Sequence, residues 1–261
     1  MTHEDIRTPR RYVALVVIGL VAGFMSGLFG VGGGVLIVPL LVMFVGFGQK
    51  RAAGTSGALI VVTAAVGVVS YAAHGNVDWF VAVLLAAGGV AGAPIGAHLL
   101  HRFNEAVVRW VFVGFLAVVM ISLIFIVPDR GAVVPIDIWL GAALVAIGFV
   151  TGILSGLIGV GGGIVVVPVL IVVFGASDLV AKGTSLLMMI PTTLVAGWRN
   201  FRNGNVDLVS AVTVALATVV TTPFGAIAAG MLDPQTANWV FIAFLAVIAV
   251  QMVVRAIRAA R

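Results

Sequence analysis

The sequence GLFGVGGGVLIVP, residues 27–39, returns almost unchanged as GLIGVGGGIVVVP at residues 156–168, with nine of thirteen positions identical. In each copy, glycines and a proline interrupt an apolar run. Both residue types break a helix, because glycine frees the backbone and proline removes a hydrogen-bond donor. Open backbone groups are not tolerated against lipid, so such breaks in a membrane protein must be enclosed by protein or face a water-filled cavity.

The composition indicates a membrane protein. Hydrophobic residues make up 62% of the 261 residues and charged residues 9%, with a mean hydropathy of +1.27, whereas a soluble domain is about 25% charged. Apolar runs of roughly 20 residues, enough to cross a bilayer core of about 30 Å, recur along the chain. The net charge of +5 comes from cations between these runs, which favours contact with anionic lipid over nucleic acid. The chain has no cysteine, which excludes disulfides and thiolate metal sites.

The repeat extends over the chain at a constant offset of 129 residues, the difference between positions 27 and 156. Other shared words keep this register: GTS at 54–56 and 183–185, GNVD at 75–78 and 204–207, and P-x-G-A at 94–97 and 223–226. Such self-similarity is typical of a duplication. We therefore divide the chain into two membrane repeats, residues 1–129 and 130–261, which form one integral domain.

The apolar segments predict five membrane segments in each half. A single helix from Tyr12 to Phe47 would be about 54 Å long, well beyond the bilayer core. The glycines must therefore break it and leave a short half-helix after each turn. The predicted segments are Tyr12–Leu28, Gly34–Phe47, Ala52–Ala73, Trp79–Leu100 and Val107–Val127, followed by Ile138–Leu157, Gly163–Phe174, Gly183–Trp198, Leu208–Met231 and Trp239–Val254.

The distribution of lysine and arginine favours one of two topologies. If the glycine motif only kinks a long first span, each half crosses four times, with nine cationic residues inside and five outside. If the chain turns back at the glycines, the second half is inverted, and twelve lie inside against two, Arg130 and Lys182, outside. The positive-inside rule prefers the second topology, with both termini cytoplasmic. It does not distinguish a re-entrant hairpin from two short crossings.

Inversion directs the two glycine turns towards each other from opposite faces of the membrane. Paired glycine-interrupted segments in inverted halves indicate a transporter binding site near the midplane. The half-helices that begin near Gly34 and Gly163 present partial positive charge and free N–H donors, which suit an oxyanion. The alternative interpretation is that the turns are only tight packing corners.

The duplicated G-x-G-G-G-x-x-x-x-P words, each followed 15 residues later by G-T-S, resemble the TauE/SafE sulfite exporter family, also called the toluene-sulfonate uptake permeases. The resemblance covers nearly the whole chain. It implies a bacterial inner-membrane transporter, commonly counted as having about eight spans, that moves sulfur-containing anions such as sulfite, sulfonates or sulfoacetate.

The candidate substrate-binding residues are the glycines of the turns and the polar residues that follow them. The hydroxyl pairs of the two GTS words sit at the starts of predicted segments, where they either act as N-caps or line an anion site. Lys182, whose counterpart is Ala53, is predicted at the outer end, where it holds an anion at the entrance or contacts a lipid headgroup. The full set is Gly30, Gly32, Gly33, Gly34, Thr55, Ser56, Gly159, Gly161, Gly162, Gly163, Lys182, Thr184 and Ser185.

Other motifs have structural interpretations. Asp78 and Asp207 close the GNVD words and are predicted to form turns ahead of helices. Glycines at helical spacing, such as Gly19, Gly23 and Gly27, predict close helix packing. All nine carboxylates fall in predicted loops or at span ends, which argues against a cation substrate and a carboxylate proton relay.

Catalytic and cofactor motifs are not found. GVGGGV lacks the final glycine of G-x-G-x-x-G, and the sequence has no HExxH, metal-spaced histidine cluster or G-x-S-x-G, so we expect neither a cofactor nor an enzyme. The sequence predicts an all-α polytopic membrane protein of two inverted repeats of about 130 residues, with about eight full spans and two half-helices. The predicted function is secondary transport of a small anion by alternating access. The alternatives are a sodium-coupled or cation carrier and a non-transporting membrane scaffold.

Overall fold

The computed structural model describes residues 9–99 and 138–259, with Trp110 and residues 113–114, 117 and 120–125 between them. Over these ranges the regular structure is entirely α-helical, as predicted. The helices are α1 (Pro9–Phe29), α2 (Gly34–Phe44), α3 (Gln49–Ala72), α4 (Trp79–Leu99), α5 (Ile138–Ile158), α6 (Gly163–Val172), α7 (Asp178–Arg202), α8 (Leu208–Met231) and α9 (Pro234–Ala259).

The helix lengths confirm the predicted breaks. Seven of the described helices are long and apolar enough to cross a membrane, whereas α2 and α6 have only 11 and 10 residues. These two short helices follow the glycine turns, as expected. The predicted span Val107–Val127 lies largely outside the described residues, and residues 120–125 of it are helical.

The first helix of each half packs against a helix of the other half, so that the two halves exchange their first helices. Helix α1 of the first half packs on α8 of the second, and α5 of the second packs on α4 of the first. Glycines make these contacts close: a Cβ added at Gly19 would lie 2.6 Å from Val214 O, and one at Gly23 would lie 2.8 Å from Thr218 O. The glycines at helical spacing are therefore packing positions, as predicted.

The equivalent helices α3 and α7 pack against each other in opposite directions. Gly54, near the start of α3, lies against Asn205, which follows α7, whereas Gly67, near the end of α3, lies against Leu186, near the start of α7. Equivalent elements that run antiparallel are what an inverted repeat requires. The packing is thus consistent with the predicted inversion.

The outer surface of the helices is suited to lipid. Large apolar side chains such as Val69, Leu216 and Phe224 are more than 60% exposed. All five tryptophans are at least half exposed, including Trp79 at the first position of α4. Exposed tryptophans near helix ends are typical of the membrane interface.

Asp207 joins three helix N-termini at one end of the bundle. Its Oδ1 accepts a hydrogen bond from Ser210 N at 2.8 Å and so caps α8, which agrees with its predicted place before a helix. Its Oδ2 forms ion pairs with Arg11 at 3.4 Å and with Arg51. Both guanidinium groups also lie over the ring of Phe47, at 5.4 and 4.9 Å from its centroid.

The charges around Asp207 set its protonation. Burial by itself raises the pKa of Asp207, but hydrogen bonds from Ser210 and the charges of Arg51 and Arg11 outweigh burial, so the pKa lies below the ordinary value of 3.8. A carboxyl whose pKa is lowered by folding stabilises the fold above its unfolded pKa, and this contribution is lost as the pH falls through the folded value.

We expect Asp207→Asn to lower the free energy of unfolding by about 1.5–3 kcal/mol at neutral pH, because it removes charge-assisted hydrogen bonds but keeps an oxygen for the cap. Asp78→Asn is the matched control. Asp78 caps α4 through Val81 N at 3.0 Å, and no ion pair of Asp78 is described. Thermal unfolding in detergent from pH 7 to pH 3 measures both. The excess loss at Asp207 should shrink below about pH 4; equal losses at the two positions would contradict the assignment.

Candidate functional site

Each glycine turn depends on backbone geometry that only glycine adopts easily. Helix α1 ends with a hydrogen bond from Gly30 N to Ser26 O at 2.8 Å, and α5 ends with the equivalent bond from Gly159 N to Ser155 O at 2.8 Å. The following glycines reverse the chain before the half-helices begin. Positive φ angles between 69° and 91° occur at Gly30, Gly32, Gly33, Gly159, Gly161 and Gly162.

The two turns lie directly against each other at the centre of the bundle. A Cβ added at Gly34 would lie 2.9 Å from Val160 O, and one added at Gly163 would lie 2.7 Å from Gly30 O. No side chain larger than hydrogen fits there without a shift of the backbone. The structure therefore brings together the two motifs that the sequence placed 129 residues apart.

The serines of the GTS words bind the carbonyls at the start of the opposite turn. Ser185 Oγ donates to Gly30 O at 2.5 Å, and Ser56 Oγ donates to Gly159 O at 3.2 Å. Lys182 in one half packs its Cα against Gly30, where the other half places Ala53 against Gly159. Both serines thus lie at the turns, as the site prediction requires.

The threonines of the GTS words bind elsewhere. Thr184 Oγ1 accepts a hydrogen bond from Asp78 N at 2.9 Å, and Thr55 Oγ1 accepts one from Asp207 N at 3.0 Å. Each threonine therefore holds the GNVD loop of the opposite half. Thr55 and Thr184 connect the repeats at the two ends of the helix pair α3 and α7.

The predicted N-cap role of these hydroxyls is wrong. Helix α3 begins at Gln49 and α7 begins at Asp178, so both GTS words lie inside helices, and the N-cap positions are Gly48 and Ser177. The predicted segments began at Ala52 and Gly183, directly after the cationic residues Arg51 and Lys182. Polar residues such as Lys50 can occupy a helical turn, so hydropathy places the start too late.

Two equivalent apolar side chains, those of Met189 and Ile60, pack against the glycine turns. Met189 Sδ lies 2.7 Å from where a Cβ of Gly32 would be and 3.2 Å from that of Gly161. Ile60, the counterpart of Met189 in the first half, lies 3.1 Å from that of Gly32. Apolar side chains therefore cover both turns in this conformation, and methionine is the more adaptable of the two residues.

Backbone donors at both turns have no acceptor in the described part of the chain. The first backbone bonds after the turns are Leu36 N to Gly33 O and Val165 N to Gly162 O, both at 3.0 Å. The N–H groups of residues 32–34 and 161–163 precede these bonds, and all six residues are buried. Buried N–H groups without a partner are rare, and each can donate a hydrogen bond to a water molecule or a ligand.

Two buried hydroxyls near the turns also lack a partner. Ser26 Oγ lies in the last turn of α1, and Thr151 Oγ1 lies in α5; both residues are 0% exposed. Thr151 Cγ2 is 2.6 Å from the Cβ position of Gly162, and Ser155 Cβ is 3.8 Å from it. The sequence analysis did not select these hydroxyls, because their only signal is their place one or two helical turns before each break.

Lys182 is deeply buried rather than placed at an exposed entrance. Its side chain and that of Asp178 are each 4% exposed, and Nζ donates to Asp178 Oδ2 at 3.0 Å. Asp178 stands at a span end, as predicted, but the sequence argument missed its burial. The i,i+4 spacing of an acid and a lysine is the signal that predicts this pair.

Comparison with known proteins decides the family. The profile of the family described as sulfite exporter TauE/SafE matches residues 2–123 and 144–261. This chain belongs to that family. No solved structure gives a significant match.

Named relatives of this TauE/SafE protein are described as transporters. It is 29% identical over 219 residues to the "Probable membrane transporter protein YunE" of Bacillus subtilis, covering 75% of this chain and 80% of the relative. It is 24% identical to YjnA of the same organism over 92% of this chain and 99% of the relative. It is 29% identical to a Haemophilus influenzae protein of the same description over 91% and 96%. Family and fold together make the chain a multi-pass membrane transporter.

We expect Ser185→Ala to lower the free energy of unfolding by about 1–3 kcal/mol, because the buried carbonyl of Gly30 loses its donor. Ser70→Ala is the control, since Ser70 Oγ donates only to Val66 O of its own helix, at 3.0 Å. Thermal unfolding in detergent compares the two variants. If Ser70→Ala costs as much as Ser185→Ala, the contact between the repeats does not stabilise the turn.

Proposed function

We propose that this TauE/SafE protein is a secondary transporter of a small anion, a sulfur oxyanion or an organosulfonate, whose site is formed at the two glycine turns. The observation that carries the proposal is the set of buried N–H groups at residues 32–34 and 161–163 that have no acceptor among the described residues. Half-helix N-termini add partial positive charge at the same place. The protein is placed by this proposal in a bacterial inner membrane, with cytoplasmic termini.

The freed carbonyls favour an anion over a cation. A cation carrier would bind its ion through backbone carbonyls released at the broken helices. Here Ser185 and Ser56 donate to the carbonyls of Gly30 and Gly159, so one freed carbonyl in each turn already binds a donor. The N–H groups remain available, which supports a negatively charged ligand.

The apolar filling of the centre supports alternating access. Met189 and Ile60 pack against Gly32 and Gly161, so an anion reaches the N–H groups only when the helices around them move apart. Because α3 and α7 are equivalent helices that pack antiparallel, equivalent contacts occur at both ends of the pair. Such a movement would break the contacts at one end and then those at the other. One repeat's helices would rock against the other's around the turns.

We expect Thr151→Val and Ser26→Ala to weaken anion binding about 10- to 100-fold, the effect of losing a hydrogen bond to a charged group. Neither hydroxyl has a partner in the described structure, so stability without ligand should be unchanged or higher. Thermal stabilisation of the detergent-solubilised protein by sulfite, sulfate, taurine and sulfoacetate measures affinity. Thr213→Val is the control, because Thr213 is partly exposed and its hydroxyl donates to Val209 O of its own helix in the described structure.

A response of the wild type to sodium alone would contradict the proposal and favour the cation carrier. A sulfur anion that stabilises both hydroxyl variants as well as the wild type would show that the ligand binds away from these hydroxyls.

We expect Gly33→Val and Gly162→Val each to abolish transport, because a side chain at φ +74° or +91° strains the turn that presents the N–H groups. Gly57→Ala is the control, since nothing lies within 4 Å of a Cβ at this position of α3. Uptake or efflux in proteoliposomes measures the effect, with size-exclusion chromatography to establish folding. If both valine variants fold and still transport, the glycine turns are not required for transport.

A further inference from the structure

A cavity of about 350 Å³ lies at the end of the bundle opposite the Asp207 cluster. It is lined by the end of α3, the loop after it, the start of α7 and the end of α8, with Ser70, Tyr71, Asn76, Leu179, Ala226 and Met231 among its residues. A volume of this size holds about ten waters at about 30 Å³ each. The charge distribution predicts that this end faces outward, since Arg51 and Arg202 lie at the other end of the antiparallel pair α3 and α7.

Tyr71 connects this cavity with the first glycine turn. Its side chain lines the cavity but is only 2% exposed, and its hydroxyl donates to Gly27 O at 2.6 Å. Because α1 ends here, Val31 N does not donate a helical hydrogen bond to Gly27 O. This carbonyl can therefore accept the bond from Tyr71. Ala226, another lining residue, has its N 2.8 Å from a Cβ placed at Gly27. The floor of the cavity therefore rests on the last turn of α1.

Among the described residues, the second half shows no equivalent contact. The position 129 residues after Tyr71 is Asn200, whose amide Nδ2 donates to Ala196 O of its own helix at 3.1 Å. A tyrosine thus covers the first turn from one end of the bundle, whereas at the other end the equivalent side chain stays on its own helix. This difference breaks the symmetry of the repeat at positions that otherwise correspond.

We propose that the cavity is the outer entrance for the transported anion and that Tyr71 closes it off from the glycine turns. The proposal rests on the proposed function. In the conformation described, the hydrogen bond from Tyr71 to Gly27 keeps the entrance separate from the N–H groups. Movement of the phenol away from Gly27 joins the two spaces.

The absence of cysteine from the sequence allows a direct test with single cysteines. Ala226→Cys reports the cavity and Val31→Cys, at a position that is 0% exposed, reports the turn. A charged, membrane-impermeant thiol reagent is added to intact cells. Asn203→Cys, at the opposite end, is the control for sidedness and should react only after permeabilisation.

We expect Ala226→Cys to react from outside and Val31→Cys to react slowly. Tyr71→Phe should speed the reaction of Val31→Cys about three- to tenfold, because one hydrogen bond no longer favours the closed state. Tyr12→Phe, which changes the only other tyrosine, is the matched control and should have no effect. An unchanged rate at Val31→Cys with Tyr71→Phe would overturn the closing role of Tyr71.

Protection by the anion provides a second measurement should Val31→Cys fail to fold. The anion that raises the melting temperature should slow the labelling of Ala226→Cys. An anion that stabilises the protein without slowing this labelling would overturn the entrance while leaving the glycine-turn site intact. If no anion stabilises the protein but Tyr71→Phe still speeds labelling at Val31→Cys, the proposed function fails and the closing role of Tyr71 stands.

Discussion

A break in a membrane helix leaves backbone N–H and C=O groups that lipid cannot satisfy, and the centre of this structure is arranged around that constraint. Each break frees carbonyls at its start and N–H groups at its end. Side chains of other helices bind some of these carbonyls, as Ser185 binds Gly30 and Tyr71 binds Gly27. The N–H groups keep no acceptor among the described residues. These unpaired donors are the reason why we propose an anion as the ligand.

The duplication supplies the partners that each half needs. Ser56 binds the turn of the second repeat, and Thr55 holds Asp207 of the second repeat. The second repeat returns both contacts through Ser185 and Thr184. Polar groups that would be unsatisfied in an isolated half are satisfied across the interface between halves. Because the exchanged first helices also pack across this interface, the two repeats are interdependent parts of one membrane unit.

The sequence predicted the features that depend on pattern and missed those that depend on packing. Hydropathy and the repeat predicted the helices, the breaks and the place of Asp207 ahead of a helix. The same reasoning put Thr184 near a helix start, because the predicted segment began after Lys182, whereas the helix already begins at Asp178. Burial of the Lys182–Asp178 pair and the unpartnered hydroxyl of Thr151 follow from which helices meet, and periodicity along one helix does not contain that information.

The differences between the two repeats matter most for which of the two proposed conformations, inward-open or outward-open, has the lower free energy. In an inverted repeat of identical halves, the inward-open and outward-open states have the same free energy, because symmetry interchanges them. Here Tyr71 corresponds to Asn200, and Lys182 corresponds to Ala53. A net difference of one hydrogen bond, about 0.5–1.5 kcal/mol, already shifts such an equilibrium about two- to tenfold. Under the proposed alternating access, substitutions at equivalent positions would therefore bias the resting conformation without altering the shared framework, and the contact of Tyr71 with Gly27 would bias it towards closure at one end.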